Sequence, residues 1–279
     1  MFKIISNKEL APNIFEMVVE HKRLSLKARA GHFVIVMPDE SGERIPLTIA
    51  DFDRQAGTIT LVIMAIGTST MKLVSLKSGS SLYALIGPLG VESEIENYGT
   101  VIMAAGGVGT APVFPIAREL HEKGNRVISI QGARTKELLF WTDKLAAVSD
   151  SHIITTDDGS EGRKGLVTEP LKELLEKEKD KIGCVYMIGP AVMMKFCSQV
   201  VIPYGVKSVA SLNSIMIDGT GMCGGCRVKV GKETKFTCVD GPEFDASQID
   251  WDILLSRQKM YCNEEKCSLN KYKNTHGTL

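Results

Sequence analysis

Residues 101–112 read VIMAAGGVGTAP, and a helical pattern continues from Val113 to Leu120. The stretch passes from a short apolar strand through three glycines into the start of a helix. Backbone N–H groups at such a turn point toward an anion, so the strand, turn and helix predict a phosphate cradle. Pro112 stands where the Rossmann fingerprint has its last glycine. The turn alone therefore leaves open a dinucleotide site or an ordinary tight turn.

The chain has different rhythms on the two sides of this turn. Residues 1–98 contain short runs with two-residue alternation separated by glycines, which is typical of an antiparallel β-barrel. Residues 99–205 alternate short apolar strands with longer helical stretches, which predicts an α/β domain with a parallel sheet. Residues 206–279 are rich in Gly and Cys and end in a polar tail. We therefore expect three domains with these boundaries, the last a small C-terminal module.

The overall composition excludes several classes of function. Lys+Arg and Asp+Glu both number 33, so the formal net charge is zero and no basic field attracts nucleic acid or an anionic membrane. Glycine and proline interrupt the apolar stretch 101–117, and residues 3–9 are too polar for a signal peptide, so neither a membrane span nor export is expected. We expect a cytoplasmic protein whose seven cysteines stay reduced.

The C-terminal module carries a pattern of metal ligands. Asp218, Cys223, Cys226 and Cys238 are spaced as in plant-type 2Fe-2S proteins, with Asp in place of the first Cys. Four of the nine residues 218–226 are glycines, which allow backbone N–H groups to turn toward anionic sulfur. A 2Fe-2S cluster is the favoured interpretation. The alternatives are structural zinc on the same side chains, no metal, or a loop that Asp218 only turns while another cysteine completes the site.

The remaining cysteines and the histidines give weaker signals. Cys262 and Cys267 are near each other in sequence but lack glycines and further ligands, so unliganded thiols are expected. Cys184 and Cys197 fall in an apolar strand and an apolar helix, which predicts burial. The five histidines are scattered, and no catalytic side chain is predicted.

Residues 1–205 resemble the ferredoxin-NADP reductase superfamily. The turn at 106–112 and the Gly189-Pro190 pair match its nucleotide motifs, and residues 67–70 (GTST) match its second flavin motif. Its first flavin motif is altered in residues 44–48 (RIPLT), where Arg is one residue early and Leu47 replaces the flavin-stacking aromatic residue. The resemblance implies that the barrel binds FAD against an aliphatic wall and that the α/β domain binds NAD(H).

The resemblance also implies which residues bind each cofactor. The implied flavin-binding residues are Arg44, Pro46, Leu47, Thr48, Ala65, Ile66, Gly67, Ser69 and Thr70. The implied nucleotide-binding residues are Gly107, Val108, Gly109, Thr110, Pro112, Gly132, Arg134, Asp157, Asp158, Gly159, Gly189, Pro190 and Met193. Asp157 and Asp158 favour NAD over NADP, because a carboxylate accepts from a ribose 2′-hydroxyl and repels a 2′-phosphate. The alternatives are that both only cap a turn, or that Arg134 and Arg163 reverse the preference.

A cluster module C-terminal to such a reductase resembles two related groups. One is the electron-transfer subunits of dihydroorotate dehydrogenase, which have four Cys ligands. The other, favoured by Asp218, is the small subunits of electron-bifurcating NADH-dependent reduced ferredoxin:NADP oxidoreductases. The resemblance implies a 2Fe-2S cluster on Asp218, Cys223, Cys226 and Cys238, with FAD between it and NAD(H). It also implies a heterodimer with a larger subunit that carries a second FAD, 4Fe-4S clusters and NADP(H), and that passes electrons to ferredoxin.

Two expectations remain open from the sequence. With one candidate cluster, electrons must leave to another protein, so we expect a partner interface within 206–260. In that region 251–255 is either a contact with the partner or a core helix.

A zinc-stabilised nucleotide-binding interaction subunit without redox activity would use the same loops and thiols. Colour separates the two functions, since flavin and iron make a protein yellow-brown.

Overall fold

The computed structural model describes residues 2–276. Residues 2–89 form an antiparallel sheet of seven strands in the order β6-β1-β2-β5-β4-β3-β7. Only Tyr83 separates the two edge strands β6 and β7 in the chain, so the edges meet and the barrel nearly closes. The elements are β1 (Phe2–Ala11), β2 (Ile14–Glu20), α1 (Lys22–Lys27), β3 (Phe33–Met37), β4 (Ile45–Asp53), β5 (Thr58–Met64), α2 (Thr68–Ser75), β6 (Ser81–Leu82) and β7 (Ala84–Leu89).

The barrel forms because alternate residues of its strands are apolar. In β5, Ile59, Leu61 and Ile63 are fully buried in the barrel core, while Thr58, Thr60 and Met64 are partly exposed. Such a period of two places every second side chain in one core. The antiparallel barrel predicted from the alternation is confirmed.

The second sheet also has seven strands, in the order β11-β10-β9-β8-β12-β13-β16. Its strands pair in parallel except for the last one. Helices α3 and α4 cover one face and α5 and α6 the other, which explains why β8 is buried along its whole length. The elements are β8 (Thr100–Gly106), α3 (Thr110–Glu122), β9 (Arg126–Ala133), α4 (Thr142–Ala146), β10 (Ser151–Thr156), β11 (Arg163–Lys164), α5 (Thr168–Glu178), β12 (Ile182–Ile188), α6 (Ala191–Val201) and β13 (Lys207–Ser211).

The C-terminal segment is joined to this second sheet. It contains a hairpin, one strand and three helices: β14 (Arg227–Val230), β15 (Glu233–Phe236), α7 (Thr237–Asp240), β16 (Glu243–Asp245), α8 (Trp251–Arg257) and α9 (Cys262–His276). Strand β16 pairs antiparallel with β13, with Phe244 opposite Ala210. The sheet therefore continues past residue 205 and includes a strand from the cluster module. The domain boundary at 205 stays a prediction.

Two helices of this segment bear on the sequence predictions: α9 was expected to be a tail, and α8 was expected to be either a partner contact or a core helix. The polar stretch expected as a tail forms α9 as far as His276, and its helix lies against α2, where the Thr68 and Ser268 hydroxyls are 2.8 Å apart. Residues 277–279 lie outside the described part of the chain. In α8, Trp251 and Leu254 are buried in the chain's own core, which favours the core helix over a partner contact.

No helix among residues 2–276 is both long enough and apolar enough to cross a membrane.

Candidate functional site

The glycine turn lies between strand β8 and helix α3. Gly107–Gly109 form a single 3₁₀ turn, and Thr110 begins the helix. A side chain at position 109 would collide with the carbonyl oxygen of Ile188 on the neighbouring strand. Gly107 has a φ of 53°, which a residue with a Cβ rarely adopts. The turn therefore runs close to β12 and leaves its outer side open.

The predicted nucleotide-binding residues follow the carboxyl ends of four parallel strands. The register aligns these ends, because Gly106 is opposite Gly132, Ala105 opposite Ile188 and Ala133 opposite Thr156. Met193 packs against Gly106 and Gly189, where its sulfur occupies the space that a Cβ would need. The structure thus brings the glycine turn, Gly132, the 157–159 loop, the Gly189-Pro190 pair and Met193 to one edge of the sheet, the usual place for a nucleotide.

The charged side chains near this edge have different partners. Asp158 accepts hydrogen bonds from the hydroxyl and backbone N–H of Ser160, at 2.6 and 3.0 Å, which lowers the pKa of its carboxyl group. Arg163 binds both carboxylate oxygens of Glu173, at 2.7 and 2.5 Å. Asp157 and Arg134 are exposed. One of the two arginines that would favour NADP is therefore already paired.

The predicted flavin residues lie on β4 and at the start of α2. Leu47 and Thr48 pair with Val34 and Phe33 of β3. Arg44, just before β4, is exposed and makes no hydrogen bond or ion pair within the described residues. Pro46 pairs with β3 as well, while Ala65 and Ile66 follow β5.

The N-terminus of α2 is fixed by its own side chains. The Thr70 hydroxyl accepts hydrogen bonds from the N–H groups of Gly67 and Ile66, at 2.9 and 3.1 Å. Ser69 is buried and accepts from the N–H of Glu43 at 3.3 Å. The first N–H groups of a helix lack partners within it. Together with the unpaired Arg44 guanidinium, this end fits a pyrophosphate.

Two of the four predicted metal ligands are in contact. The sulfur atoms of Cys226 and Cys238 are 3.2 Å apart, and each residue is 1% exposed. Burial and the adjacent Cys226 thiol raise the pKa of Cys238 to about 12. A buried thiol such as that of Cys238 becomes a thiolate only where a cation compensates its charge. The pair thus fits a metal centre.

The other two predicted ligands lie in the loop before this pair. Cys223 is exposed, and both carboxylate oxygens of Asp218 accept from backbone N–H groups, from Thr220 at 3.0 Å and from Cys223 at 2.8 Å. These bonds lower the pKa of Asp218. Within residues 2–276, no three His, Cys, Asp or Glu side chains are arranged to hold one metal ion. The set of four ligands therefore stays a prediction.

Two of the other cysteines, Cys184 and Cys197, lie in cores away from the predicted ligands. Cys184 and Cys197 are fully buried in the two cores that flank the parallel sheet, as the sequence predicts. Cys262 and Cys267 lie on α9.

The cysteine pair and the nucleotide turn pack against different apolar clusters of the barrel. Cys226 and Cys238 pack with Phe33 and Ile35 of β3 in one apolar cluster. Val108 of the turn packs in another cluster with side chains of β5. In the barrel sheet, β4 lies between β5 and β3. The predicted flavin strand β4 therefore has, as its two neighbours, the strand that packs near Val108 and the strand that packs on the two cysteines.

Sequence reasoning missed a half-buried carboxyl group, that of Glu243, where three segments meet. Ser93, in the link between the two sheets, donates a 2.6 Å hydrogen bond to Glu243 on β16. Glu243 lines a cavity of about 310 Å³ together with Glu94, Tyr186 and Lys207. Burial raises the pKa of Glu243 to about 7. Nothing in the sequence distinguishes this Glu from its neighbours, because its partner is 150 residues away.

Comparison with known proteins gives the family. Residues 103–199 match the oxidoreductase NAD-binding domain, and residues 213–250 match the iron-sulfur cluster binding domain of dihydroorotate dehydrogenase B. A Thermotoga maritima protein named as a homolog of the dihydroorotate dehydrogenase B (NAD(+)) electron transfer subunit is 43% identical over 275 residues, covering 99% of this chain and 96% of that protein. The chain belongs to the family of dihydroorotate dehydrogenase B electron-transfer subunits. The Streptococcus pneumoniae subunit is 31% identical over 255 residues, 88% of this chain and 99% of that one.

A solved structure extends this electron-transfer subunit family to a second enzyme. A chain of the NADH-dependent reduced ferredoxin-NADP oxidoreductase, described in the context of flavin-based electron bifurcation, is 42% identical, has a TM-score of 0.92 and shares 98% of both chains. A Neisseria gonorrhoeae ferredoxin NADP+ reductase, 18% identical with a TM-score of 0.59, shares the fold over 73% of this chain and 90% of its own. The predicted family, oxidoreductase class, and NAD-binding and iron-sulfur domains are confirmed. The roles of single residues stay predictions.

Proposed function

We propose that the chain is the small subunit of an electron-bifurcating NADH-dependent ferredoxin:NADP oxidoreductase, with FAD between NAD(H) and a 2Fe-2S cluster. One observation carries the proposal: β4 lies between β5, which packs on the nucleotide turn, and β3, which packs on Cys226 and Cys238. A nicotinamide exchanges electrons as a pair and the cluster exchanges them singly, whereas a flavin does both. The strand order supports a flavin at the intermediate position.

The contacts described above support an assignment of residues to each group. Arg44 and the start of α2 bind the FAD pyrophosphate, and Leu47 provides the aliphatic wall beside the ring. Gly107 and Gly109 admit the NAD(H) pyrophosphate to the edge of the parallel sheet. NADH held there would supply a hydride and leave as NAD+, and FAD held on the barrel would accept the electron pair and could pass the electrons on singly. The barrel and the α/β domain keep these reactants in place.

The 218–238 segment holds the cluster. Asp218, Cys223, Cys226 and Cys238 provide four anionic donors, and glycines in the loop leave backbone N–H groups free to face sulfur. Cys226 and Cys238 anchor the cluster against β3 of the barrel. Because Cys223 of the same ligand set is exposed, this arrangement supports electron exit through the cluster loop.

Anaerobic stopped-flow absorbance of the purified holoprotein tests the proposal. We expect a yellow-brown protein with one FAD and one 2Fe-2S cluster per chain, whose flavin band NADH bleaches faster than NADPH does. A colourless protein that contains zinc would instead support the interaction subunit without redox activity. A flavin band that stays unbleached by NADH would contradict the electron route.

A larger partner subunit completes the proposed enzyme. It carries a second FAD, 4Fe-4S clusters and the NADP(H) site, and it passes electrons to ferredoxin. Three apolar side chains around the cysteine loop, those of Ile217, Met222 and Val239, are 49%, 91% and 41% exposed, which supports an interface there. All seven cysteines are free. This suits the reducing cytoplasm, where we place the complex.

Size-exclusion chromatography with light scattering of the native enzyme tests the partner. We expect a heterodimer that Met222→Asp dissociates and that Leu166→Asp, a matched change of an exposed side chain on the nucleotide domain, leaves intact. A monomer that by itself couples NADPH oxidation to ferredoxin reduction would remove the need for a partner.

The second candidate is the electron-transfer subunit of dihydroorotate dehydrogenase. The match of residues 213–250 and the pneumococcal relative favour it, while Asp218 in the first ligand position favours bifurcation. NADH formation from NAD+ and dihydroorotate by the native complex would decide for this second function.

A further inference from the structure

The barrel and the nucleotide domain meet in a seam with an apolar centre. On the barrel side, Ile14, Ala50 and Val62 are buried, and on the other side Ala111 and Phe140 are buried against them. The seam consists of the contact of β2, β4 and β5 with residues 108–118 and 140–144. Apolar surfaces alone allow such bodies to slide, because the hydrophobic effect is non-directional.

A tryptophan gives this seam a directional bond. Trp141, before α4, donates from its indole N–H to a carboxylate oxygen of Glu16 on β2, at 2.9 Å. Glu16 is only 8% exposed, and its other oxygen is 2.9 Å from the Lys8 ammonium group. Both carboxylate oxygens are thus used, and one of them fixes the nucleotide domain to the barrel.

The backbone of Trp141 is itself unusual. Its φ of 53° lies in the left-handed region, which is unfavourable for a residue with a large side chain. Its ring contacts those of Phe114 and Phe140 edge to face, with centroids 5.6 and 6.0 Å away. Backbone strain of this kind persists where the surroundings over-determine the conformation. At Trp141 the surroundings are the seam.

A second polar contact crosses the seam from α3 and α4. Asp51 on β4 accepts from Arg118 at 2.7 Å and from Lys144 at 3.2 Å. The Lys144 ammonium group also lies 3.9 Å from the centre of the Trp141 ring. Asp51, Lys144, Trp141 and Glu16 therefore form one connected network that holds two barrel strands.

This network is connected to both predicted cofactor sites. Helix α3, which carries Arg118, begins where the nucleotide turn ends. Val108 of that turn and Met64, which directly precedes the Ala65 and Ile66 of the flavin site, pack in the same apolar cluster as Trp141. A movement at the seam therefore changes the spacing between the two sites.

We propose that Trp141 is a positioning residue for hydride transfer, acting with Asp51 and Lys144 to fix the spacing between the nucleotide and flavin sites. This rests on the function proposed above. In that step the C4–H bond of NADH breaks, the hydride with both electrons passes to the flavin, and NAD+ remains. Trp141 touches neither reactant in this scheme. Its effect depends on geometry, and misplacing reactants by about 1 Å costs about a hundredfold in rate.

Variants of the complete holoprotein test the proposal. Trp141→Phe removes the indole donor and keeps an aromatic ring, and Asp51→Asn removes the charge that holds Arg118 and Lys144. The matched control is Trp251→Phe, because Trp251 is the other tryptophan of the chain and its buried indole N–H has no partner within the described residues. We measure the limiting rate of flavin reduction by NADH, the Kd of NADH, the NADH-flavin charge-transfer band, and hydrogen exchange at 108–111.

The expected results separate positioning from binding or folding. In Trp141→Phe and Asp51→Asn the limiting rate falls about tenfold while the Kd of NADH changes little. The charge-transfer band weakens and exchange at 108–111 becomes faster, whereas Trp251→Phe behaves as wild type. If Trp141→Phe does not fold, the proposal is tested by Asp51→Asn alone, because the Asp51–Arg118 ion pair is partly exposed.

The contrary results are also distinct. Unchanged rate, band and exchange in both variants would overturn the positioning role, and so would an equal fall in Trp251→Phe. Failure of NADH to reduce the wild-type flavin would instead overturn the proposed function. Faster exchange at 108–111 in the variants would in that case still show that the network holds the seam.

Discussion

Asp218 has two roles that substitution can separate. Its carboxylate turns the loop by accepting from Thr220 and Cys223, and in our proposal it also binds iron. Asp218→Asn keeps an acceptor for the loop but loses the negative charge, so we expect less iron per chain. Asp218→Cys should keep a 2Fe-2S cluster with an altered EPR signal and potential, because ligand type sets both.

The matched control is Asp240→Asn. Asp240 accepts from the Phe236 N–H at 2.6 Å near Cys238, so it is also a loop-forming carboxylate but not a proposed ligand. Iron analysis and EPR of the three proteins decide the question. Wild-type iron content in Asp218→Asn would show that Asp218 only turns the loop.

We expect Glu173 to affect nucleotide choice, because it pairs with Arg163. Because both carboxylate oxygens bind that guanidinium group, Arg163 is not free to attract a 2′-phosphate. Glu173→Gln should release it and raise kcat/KM for NADPH several-fold, with little change for NADH. Glu176→Gln, which breaks the Lys172 pair on the same helix, is the control. An unchanged NADPH to NADH ratio in Glu173→Gln would place Arg163 away from the nucleotide.

At the scale of single residues, the sequence predicts local motifs such as the glycine turn better than it predicts which side chains contact each other. The turn at 106–109 was predictable because an apolar strand that runs into three glycines rarely continues as a strand. The bonds from Trp141 to Glu16 and from Arg118 to Asp51 were not, since 125 and 67 residues separate the partners. No local pattern marks one Trp or Asp as a member of a seam.

Helix α9 lies on the element that carries the flavin motif. It contacts α2 through Thr68 and Ser268, and α2 begins at the predicted pyrophosphate end. Truncation after Tyr261 should therefore raise the Kd of FAD about tenfold, equivalent to about 1.4 kcal/mol. Fluorescence titration of the apoprotein with FAD measures this. The control is truncation after His276, and equal Kd values for the two proteins would exclude a role of α9 in flavin binding.

The elements that the sequence missed are those without a hydrophobic period. The barrel strand Phe33–Met37 is recognisable in the sequence because all five of its residues are apolar. Helix α9 has few apolar residues and is mostly exposed, so its sequence resembles a tail. Strand β16 has only three residues, which is too short for alternation to show.

For the whole molecule, Glu243 makes stability depend on pH. The group lies between the link residue Ser93 and a cavity that also contains Glu94, Lys207 and Tyr186, with Asp240 and Asp245 at its lining. Its pKa is raised from 4.5 to about 7, so the folded protein binds more protons than the unfolded chain between these values. Stability should therefore fall as pH rises from about 4.5 to about 7 and stay level above that range.

Glu243→Gln removes this dependence. We expect the variant to match wild type near pH 5 and to be more stable near pH 8, measured by urea unfolding. Glu94→Gln is an informative comparison, because Lys207 lowers the pKa of Glu94 and its contribution is lost as pH falls. A difference between Glu243→Gln and wild type that is the same at both pH values would show that Glu243 does not titrate in this range.

The architecture as a whole was predictable because the two sheets have different periods. Alternation of apolar and polar residues with a period of two predicts the barrel, and apolar strands that alternate with helical stretches predict the parallel sheet. The connection between domains was not predictable, since it depends on which surfaces meet. Ser93, Glu243 and the seam network all lie at such meeting points.

The pairing of β16 with β13 determines how this chain can exchange parts with its relatives. A cut at residue 205 would remove β13 from the sheet and leave β12 as a bare edge, with apolar surface of α6 uncovered. A transplanted 206–279 segment would expose the edge of β13 that normally pairs with β12. Unpaired strand edges of this kind promote aggregation. We therefore expect that residues 206–279 cannot be exchanged between relatives as an independent domain. Gene fusions that recombine such reductases should succeed only when the crossover keeps both strands with one parent.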